Sequence, residues 1–325
     1  MTIQRRKLML SALAGASALA LAGCGGGDDD PVAPAPAAPT PNLVGLAQSD
    51  ANFTTLVSAV VKAGLDTALS GASPLTVFAP TNAAFDAAAA ALGLGNGPAL
   101  VAALPAAELA KVLQYHVVAG SQPASALSTG PLDSLYSFGG AAATLAIDTS
   151  TGVRITDEVL TVANVTTADL RASNGIIHVI DKLLVPPGVL NVVQMAQLNP
   201  NFSQLVAAVV QANLVAPLSD ASATLTVFAP VDTAFQAIAS TVATLSNTQL
   251  ATVLQYHVLG TPVPSSAIPF GTPVTTLAAQ DITINNAGGL TITDTTATPA
   301  NIVATDVNAS NGVIHVIDKV LIPVL

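Results

Sequence analysis

The pentapeptide LQYHV stands twice in this chain, at 113–117 and 254–258, inside a longer duplication that limits what the chain can fold into. NFTTLVSAVVKAGL from Asn52 returns as NFSQLVAAVVQANL from Asn201, and LTVFAP from Leu75 returns from Leu225. SNGIIHVIDKLLVP from Ser173 returns as SNGVIHVIDKVLIP from Ser310. The offset between copies falls from 149 or 150 to 141 and then 137 residues, so the second copy is the shorter, mostly through loss of the AAAALGLGNGP region. A period of this length is a whole domain, far above the roughly 20–50 residues of solenoid repeats. All four histidines lie in these blocks. Either they do chemistry twice over, or they are structural parts of a unit duplicated whole.

Comparing the copies gives the local structure. Leu56, Val57, Val60 and Val61 recur at helical spacing, and that helix ends at Gly64, whose counterpart is Asn213; these two residue types best tolerate a left-handed C-terminal position. After the strand LTVF, Thr81 is replaced by Val231 while Asn82 becomes Asp232. Only the second position keeps a side-chain oxygen, so Asn82 and Asp232 are expected to cap the helices that follow. Ser246 to Gln249 forms a capping box opening a helix through LATVLQYHV, which puts Tyr115-His116 and Tyr256-His257 at helix C-termini, within reach of free carbonyls. The last third of each copy is short and β-branched between Gly, Asp, Asn and Ser, a pattern of strands and turns. Along IIHVID, His178 and Asp181 fall on opposite faces of a strand apolar on both sides, which predicts a central, buried strand. His315 and Asp318 repeat that arrangement.

The N-terminus has a basic start, an apolar run from Leu8 to Ala22, and then Leu21-Ala22-Gly23-Cys24. This is the layout of a secretory leader ending in a bacterial lipoprotein box, with Cys24, the chain's only cysteine, as the lipidated first residue of the mature protein. The alternative is a small-residue cleavage site beside a bystander cysteine. Arg5-Arg6 leaves Sec and twin-arginine export both open. Multiple acyl chains hold a protein stably to a membrane, and with Cys24 so used no disulfide can form. GGGDDDPVAPAPAAPTP at 25–41 has the composition of a flexible start followed by a polyproline-like stalk.

Composition excludes several classes. Charged residues make up 9% and net charge is −10, so nucleic acid, which is bound through Lys and Arg, is not an expected partner. No GxSxG, HExxH, phosphate loop ending in Gly-Lys, or paired carboxylates in an apolar stretch occur, so neither catalysis, a metal nor a cofactor is expected. Buried, hydrogen-bonded histidines are favoured over ligand contacts. The sequons at Asn52, Asn164, Asn201 and Asn308 are read as chance or as helix starts.

The TVFAP motif, the Tyr-His pair and the NGxIHVID motif, present in order in both copies, resemble the fasciclin domain family over roughly 43–186 and 190–323. The resemblance implies an α+β fold: two tandem domains, each a β-sandwich or wedge with a helical cluster from its first half. With the leader and stalk read from the N-terminal pattern, the chain divides into a leader (1–23), lipidated Cys24 and stalk (24–41), domain 1 (42–187) and domain 2 (188–325). The resemblance implies a role in cell adhesion and matrix contact. In animal members the Tyr-His region is implicated in integrin binding, which by position falls on Tyr115, His116, Tyr256 and His257. The expectation is a protein lipid-anchored in the bacterial envelope, the outer membrane or cell surface being favoured over the inner membrane. There it meets a protein or polysaccharide ligand. The alternative is a structural envelope or matrix protein without a specific receptor.

Overall fold

A computed structural model describes residues 40–325. The leader, Cys24 and nearly all of the stalk lie outside the described residues. In the first copy α1 (Leu43–Gln48), α2 (Thr54–Ala63) and α3 (Asp66–Leu69) precede β1 (Leu75–Pro80). Three more helices follow, α4 (Asn82–Ala91), α5 (Gly97–Ala103) and α6 (Ala106–Tyr115). The strands β2 (Val117–Ala119), β3 (Gly130–Phe138), β4 (Ala141–Asp148), β5 (Arg154–Thr156), β6 (Val162–Ala172) and β7 (Gly175–Ile180) complete it. The second copy repeats the order: α7 (Val192–Leu198), α8 (Ser203–Gln211), α9 (Val215–Leu218), β8 (Leu225–Pro230), α10 (Asp232–Ala237), α11 (Ala239–Val242) and α12 (Asn247–Tyr256). Its remaining strands are β9 (Val258–Leu259), β10 (Pro273–Thr275), β11 (Asp281–Asn285), β12 (Thr291–Thr293), β13 (Ala300–Ala309) and β14 (Gly312–Ile317).

Two seven-stranded sheets result, ordered β2-β1-β7-β6-β5-β4-β3 and β10-β11-β12-β13-β14-β8-β9, which gives the mixed α+β class expected from the sequence. In each sheet the LTVFAP strand pairs in parallel with the HVI strand, β1 with β7 and β8 with β14, second and third from one edge. This close parallel pair explains the glycine of the duplicated SNG. A Cβ on Gly175 would lie 2.0 Å from the Leu75 carbonyl oxygen, and one on Gly312 would lie 2.2 Å from that of Leu225. No side chain fits at either place.

Helix ends follow the expected chemistry with one correction. Gly64 and Asn213 are left-handed, at φ 67° and 56°, and Ser246 and Gln249 form the capping box of α12. Asn82 and Asp232, however, do not cap their own helices. Thr81 caps α4 through its hydroxyl, and Val231 precedes α10 with no side-chain cap at all. Both expected caps turn back instead to an earlier helix: Asn82 Oδ1 accepts from the Thr55 N–H at 2.9 Å, and Asp232 Oδ1 accepts from the Gln204 N–H at 2.9 Å. They satisfy orphan donors at the starts of α2 and α8, a long-range version of the same role.

One apolar cluster runs through the helical layers of both copies, from Leu43 to Val320. The opposite face of each sheet curls around a cluster of its own, which includes Tyr115 and Leu145 in the first copy and Tyr256 and Ile284 in the second. The shortening of the second copy falls in two places. The helices α10 and α11 replace the longer α4 and α5, and β10–β11 are shorter than the β3–β4 hairpin.

Candidate functional site

The two Tyr-His pairs end α6 and α12, each histidine being the C-terminal cap residue. His116 Nδ1 donates to the Val112 carbonyl at 2.7 Å, while Nε2 accepts from the Leu184 N–H at 2.9 Å. His257 repeats this with Val253 at 2.8 Å and Leu321 at 2.8 Å. Burial pushes both imidazoles down to about 4, against the opposing pull of the Val112 and Val253 carbonyls. A neutral ring with one nitrogen donating and the other accepting has no lone pair left for a metal or a substrate proton. Its work is to tie the helix end to the segment that follows the last strand. Tyr115 donates to the Thr144 carbonyl at 2.9 Å and Tyr256 to that of Asp281 at 2.8 Å, and burial raises both phenols above their ordinary range. None of the four side chains is more than 2% exposed. A partner at this end of the fold therefore meets their neighbours and not the motif itself.

His178 and His315 are fully buried on β7 and β14, stacked on Phe78 and Phe228. Each Nε2 donates to a carbonyl at 2.9 Å, of Gln122 or Val263, and each Nδ1 faces the N–H of Asp169 or Asp306. Asp181 and Asp318 point elsewhere. Each clamps an asparagine across the sheet, Asn164 or Asn301, through its backbone N–H and its side-chain amide. Histidine and carboxylate do not converge, as the strand alternation predicted. Among the described residues no group of three His, Cys, Asp or Glu side chains has the arrangement of a metal site.

Sequence reasoning passed over three other repeated residues. Asn174 and Asn311, beside the obligatory glycines, each bond three backbone groups distant in sequence: Leu43, Leu69 and Gly71 in one copy, Val192, Leu218 and Asp220 in the other. Thr76 and Thr226 bridge β1 and β8 to the loops after β2 and β9. Asp157 and Asp294, with no exposed side-chain surface, pair with Lys182 and Lys319 and accept the N–H groups of Val185 and Ile322. Their recurrence at matching positions was the signal that could have found them.

The copies also differ where they meet. The Glu158 carboxylate of domain 1 accepts from the Asn308 backbone N–H of domain 2 at 2.6 Å and from its side-chain amide at 3.0 Å. Asn199 donates to the Val159 carbonyl at 2.8 Å, and the Gly188 N–H donates to the Asn308 carbonyl at 2.9 Å. The longer hairpin of domain 1 grips the link: Tyr136 donates to the Pro187 carbonyl at 3.1 Å, and the Phe138 ring would lie 2.4 Å from a Cβ on Gly188, which sits at φ 72°. Burial pushes Glu158 up to about 7, with Asp157 and Asp306 adding to the rise and the Asn308 hydrogen bonds opposing it.

Two equivalent apolar clefts, one between α1, α2 and β1 and the other at the matching place in the second copy, hold only about 40 Å³ each. Ligand pockets run to roughly 300 Å³ and above, so neither cleft as it stands has room for a ligand of that class. Among the described residues no helix is long and apolar enough to cross a membrane.

The chain is 41% identical over 145 residues to Protein sll1483 of Synechocystis sp., covering 45% of this chain and 73% of that protein. It is 35% identical over 149 residues to the transforming growth factor-beta-induced protein ig-h3 of Sus scrofa, covering 46% of this chain and 20% of that one. A solved FAS1 domain pair from the insect cell adhesion molecule fasciclin I aligns at 18% identity and TM-score 0.43, over 83% of this chain and 97% of that one. The fasciclin domain family model matches residues 51–186 and again 200–323. With both sheets and every duplicated motif inside those two matches, the chain belongs to the fasciclin domain family as a tandem pair.

Proposed function

We propose that this protein works by binding, as an adhesion or interaction protein of a bacterial envelope, held to the membrane by lipid on Cys24. The observation that carries the reading is the junction. Two domains of a family linked with cell adhesion are joined by Glu158, Asn308 and the gripped Pro187-Gly188 link, and so present two outer surfaces in a fixed relation. Fixed spacing is what lets two weak contacts add on one surface. The duplicated histidines, saturated and neutral, support a scaffold role, and the reading assigns the protein no catalysis. The lipobox and the Pro/Ala-rich composition of 31–41 support a tether that lifts the pair from the lipid.

The test is attachment of soluble protein from residue 42 onward to host cells, immobilised matrix proteins and envelope polysaccharide. Saturable binding to one of these is expected. Binding to none would favour a structural envelope component without a receptor.

A further inference from the structure

Arg171 and Asn308 occupy the same position of the two copies, in LRASNG and VNASNG. In domain 2 that position, near the end of β13, receives a carboxylate: both donors of Asn308 reach Glu158. In domain 1 the equivalent end of β6 is exposed. Arg171 there borders an open cavity of about 230 Å³ whose wall also carries Ser121 and Ser173. Six Lys and Arg residues fall among the described residues. Lys62 donates to the Val101 and Ala102 carbonyls, while Lys111, Arg154, Lys182 and Lys319 pair with Glu108, Asp148, Asp157 and Asp294. Of these six side chains, that of Arg171 alone takes part in no ion pair or hydrogen bond among the described residues, in a chain whose net charge is −10.

We propose that the Arg171 cavity is a docking site for an Asp or Glu side chain of a partner protein, the external counterpart of the internal contact that Glu158 makes with Asn308. The guanidinium offers a fork of donors that matches a carboxylate, stronger and longer in reach than the amide at the equivalent place. The exposed Ser121 and Ser173 hydroxyls stand beside it as further donors. A second copy of this chain docked in the same register is a poor occupant, because the residue of domain 2 matching Glu158 is Thr295, which carries no carboxylate. The partner is therefore a different protein with an acidic contact residue. This assignment rests on the reading of the chain as a binding protein and gives it one contact point.

The test uses residues 39–325, which form one compact unit, and a blocked Ala-Glu-Ala peptide as probe, followed by amide chemical shifts. Saturable shifts at Ser121 and at Ser173 to Gly175 are expected, with Kd on the order of 1–10 mM for so small a contact. The blocked Ala-Gln-Ala peptide should move nothing, Arg171→Gln should abolish the shifts without changing Tm, and Arg171→Lys should recover only part of them. No shift with the Glu peptide, or a shift that survives in Arg171→Gln, overturns the assignment. Tighter binding of trigalacturonate than of the peptide also overturns it, in favour of an acidic polysaccharide. Failure here with surface attachment intact removes this site alone. Peptide binding without any surface attachment removes the adhesion reading instead.

Discussion

Raising the pH should loosen the junction between the two domains, and Glu158→Gln should abolish that sensitivity. Glu158 accepts both of its hydrogen bonds from Asn308 across the junction, while Asp157 and Asp306 face it with like charge and Lys182 is committed to Asp157. Burial is the main cause of its raised pKa, about 7 against an ordinary 4.5. A group that binds its proton more tightly in the docked state stabilises docking fully below its ordinary pKa, and that contribution is lost as pH rises through the docked value. A rise of that size corresponds to about 3 kcal/mol, and the remaining contact of this side chain with water brings the working figure to about 2 kcal/mol. Hydrogen exchange at the Asn308 and Gly188 amides, corrected for the intrinsic rate, reads docking directly. Between about pH 5 and pH 8.5, protection in the native chain should fall by roughly 30-fold, the equivalent of that energy. In Glu158→Gln it should stay flat, since the amide oxygen still accepts from Asn308 and nothing titrates. Equal pH dependence in both proteins, or unchanged protection in the native one, would refute the reasoning.

The histidine braces carry the opposite sign. With His116 and His257 held near 4 in the fold, stability should be lost as pH falls from about 6.5 through 4, by about 3 kcal/mol for each fully buried ring; thermal melts across that range check it. His116→Ala should cost about 3 kcal/mol at neutral pH, from the orphaned Leu184 N–H and Val112 carbonyl and the cavity left behind; unchanged urea melting would mark the ring as dispensable. Gly175→Ala forces a Cβ onto the Leu75 carbonyl and should destabilise domain 1 by about 3 kcal/mol or more, with β1 and β7 exchanging first. Asn82→Ala should cost about 1 kcal/mol, and the lost protection should appear at the start of α2 and not in α4.

How much of this was legible in the sequence depended on the reach of each interaction. The helix from Asn52, its left-handed stop at Gly64 or Asn213, and the capping box at Ser246 involve neighbours within one turn, and all three stand where the pattern put them. Asn82 and Asp232 illustrate the limit. Their residue type correctly announced a capping role, but the donors they satisfy lie at Thr55 and Gln204, nearly thirty residues earlier and beyond any local rule. The Tyr-His pair was placed correctly at a helix end, yet only the tertiary fold supplies Leu184, and with it the closure of both ring nitrogens. The junction was hidden for a different reason. Comparing the copies by what they share draws attention away from Glu158 against Thr295 and Arg171 against Asn308, the positions where they differ because one face of each domain meets a different neighbour.

The most direct measurement of the central claim is attachment by bacterial cells carrying the native chain, the Cys24→Ser chain, or a deletion of it, to whichever surface binds the soluble domain pair. Attachment should be present with the native chain, lost on deletion, and lost with Cys24→Ser as the protein leaves the membrane fraction. Cells that attach equally well without the chain, or a Cys24→Ser protein that stays with the membranes and still supports attachment, would contradict a lipid-tethered adhesion pair.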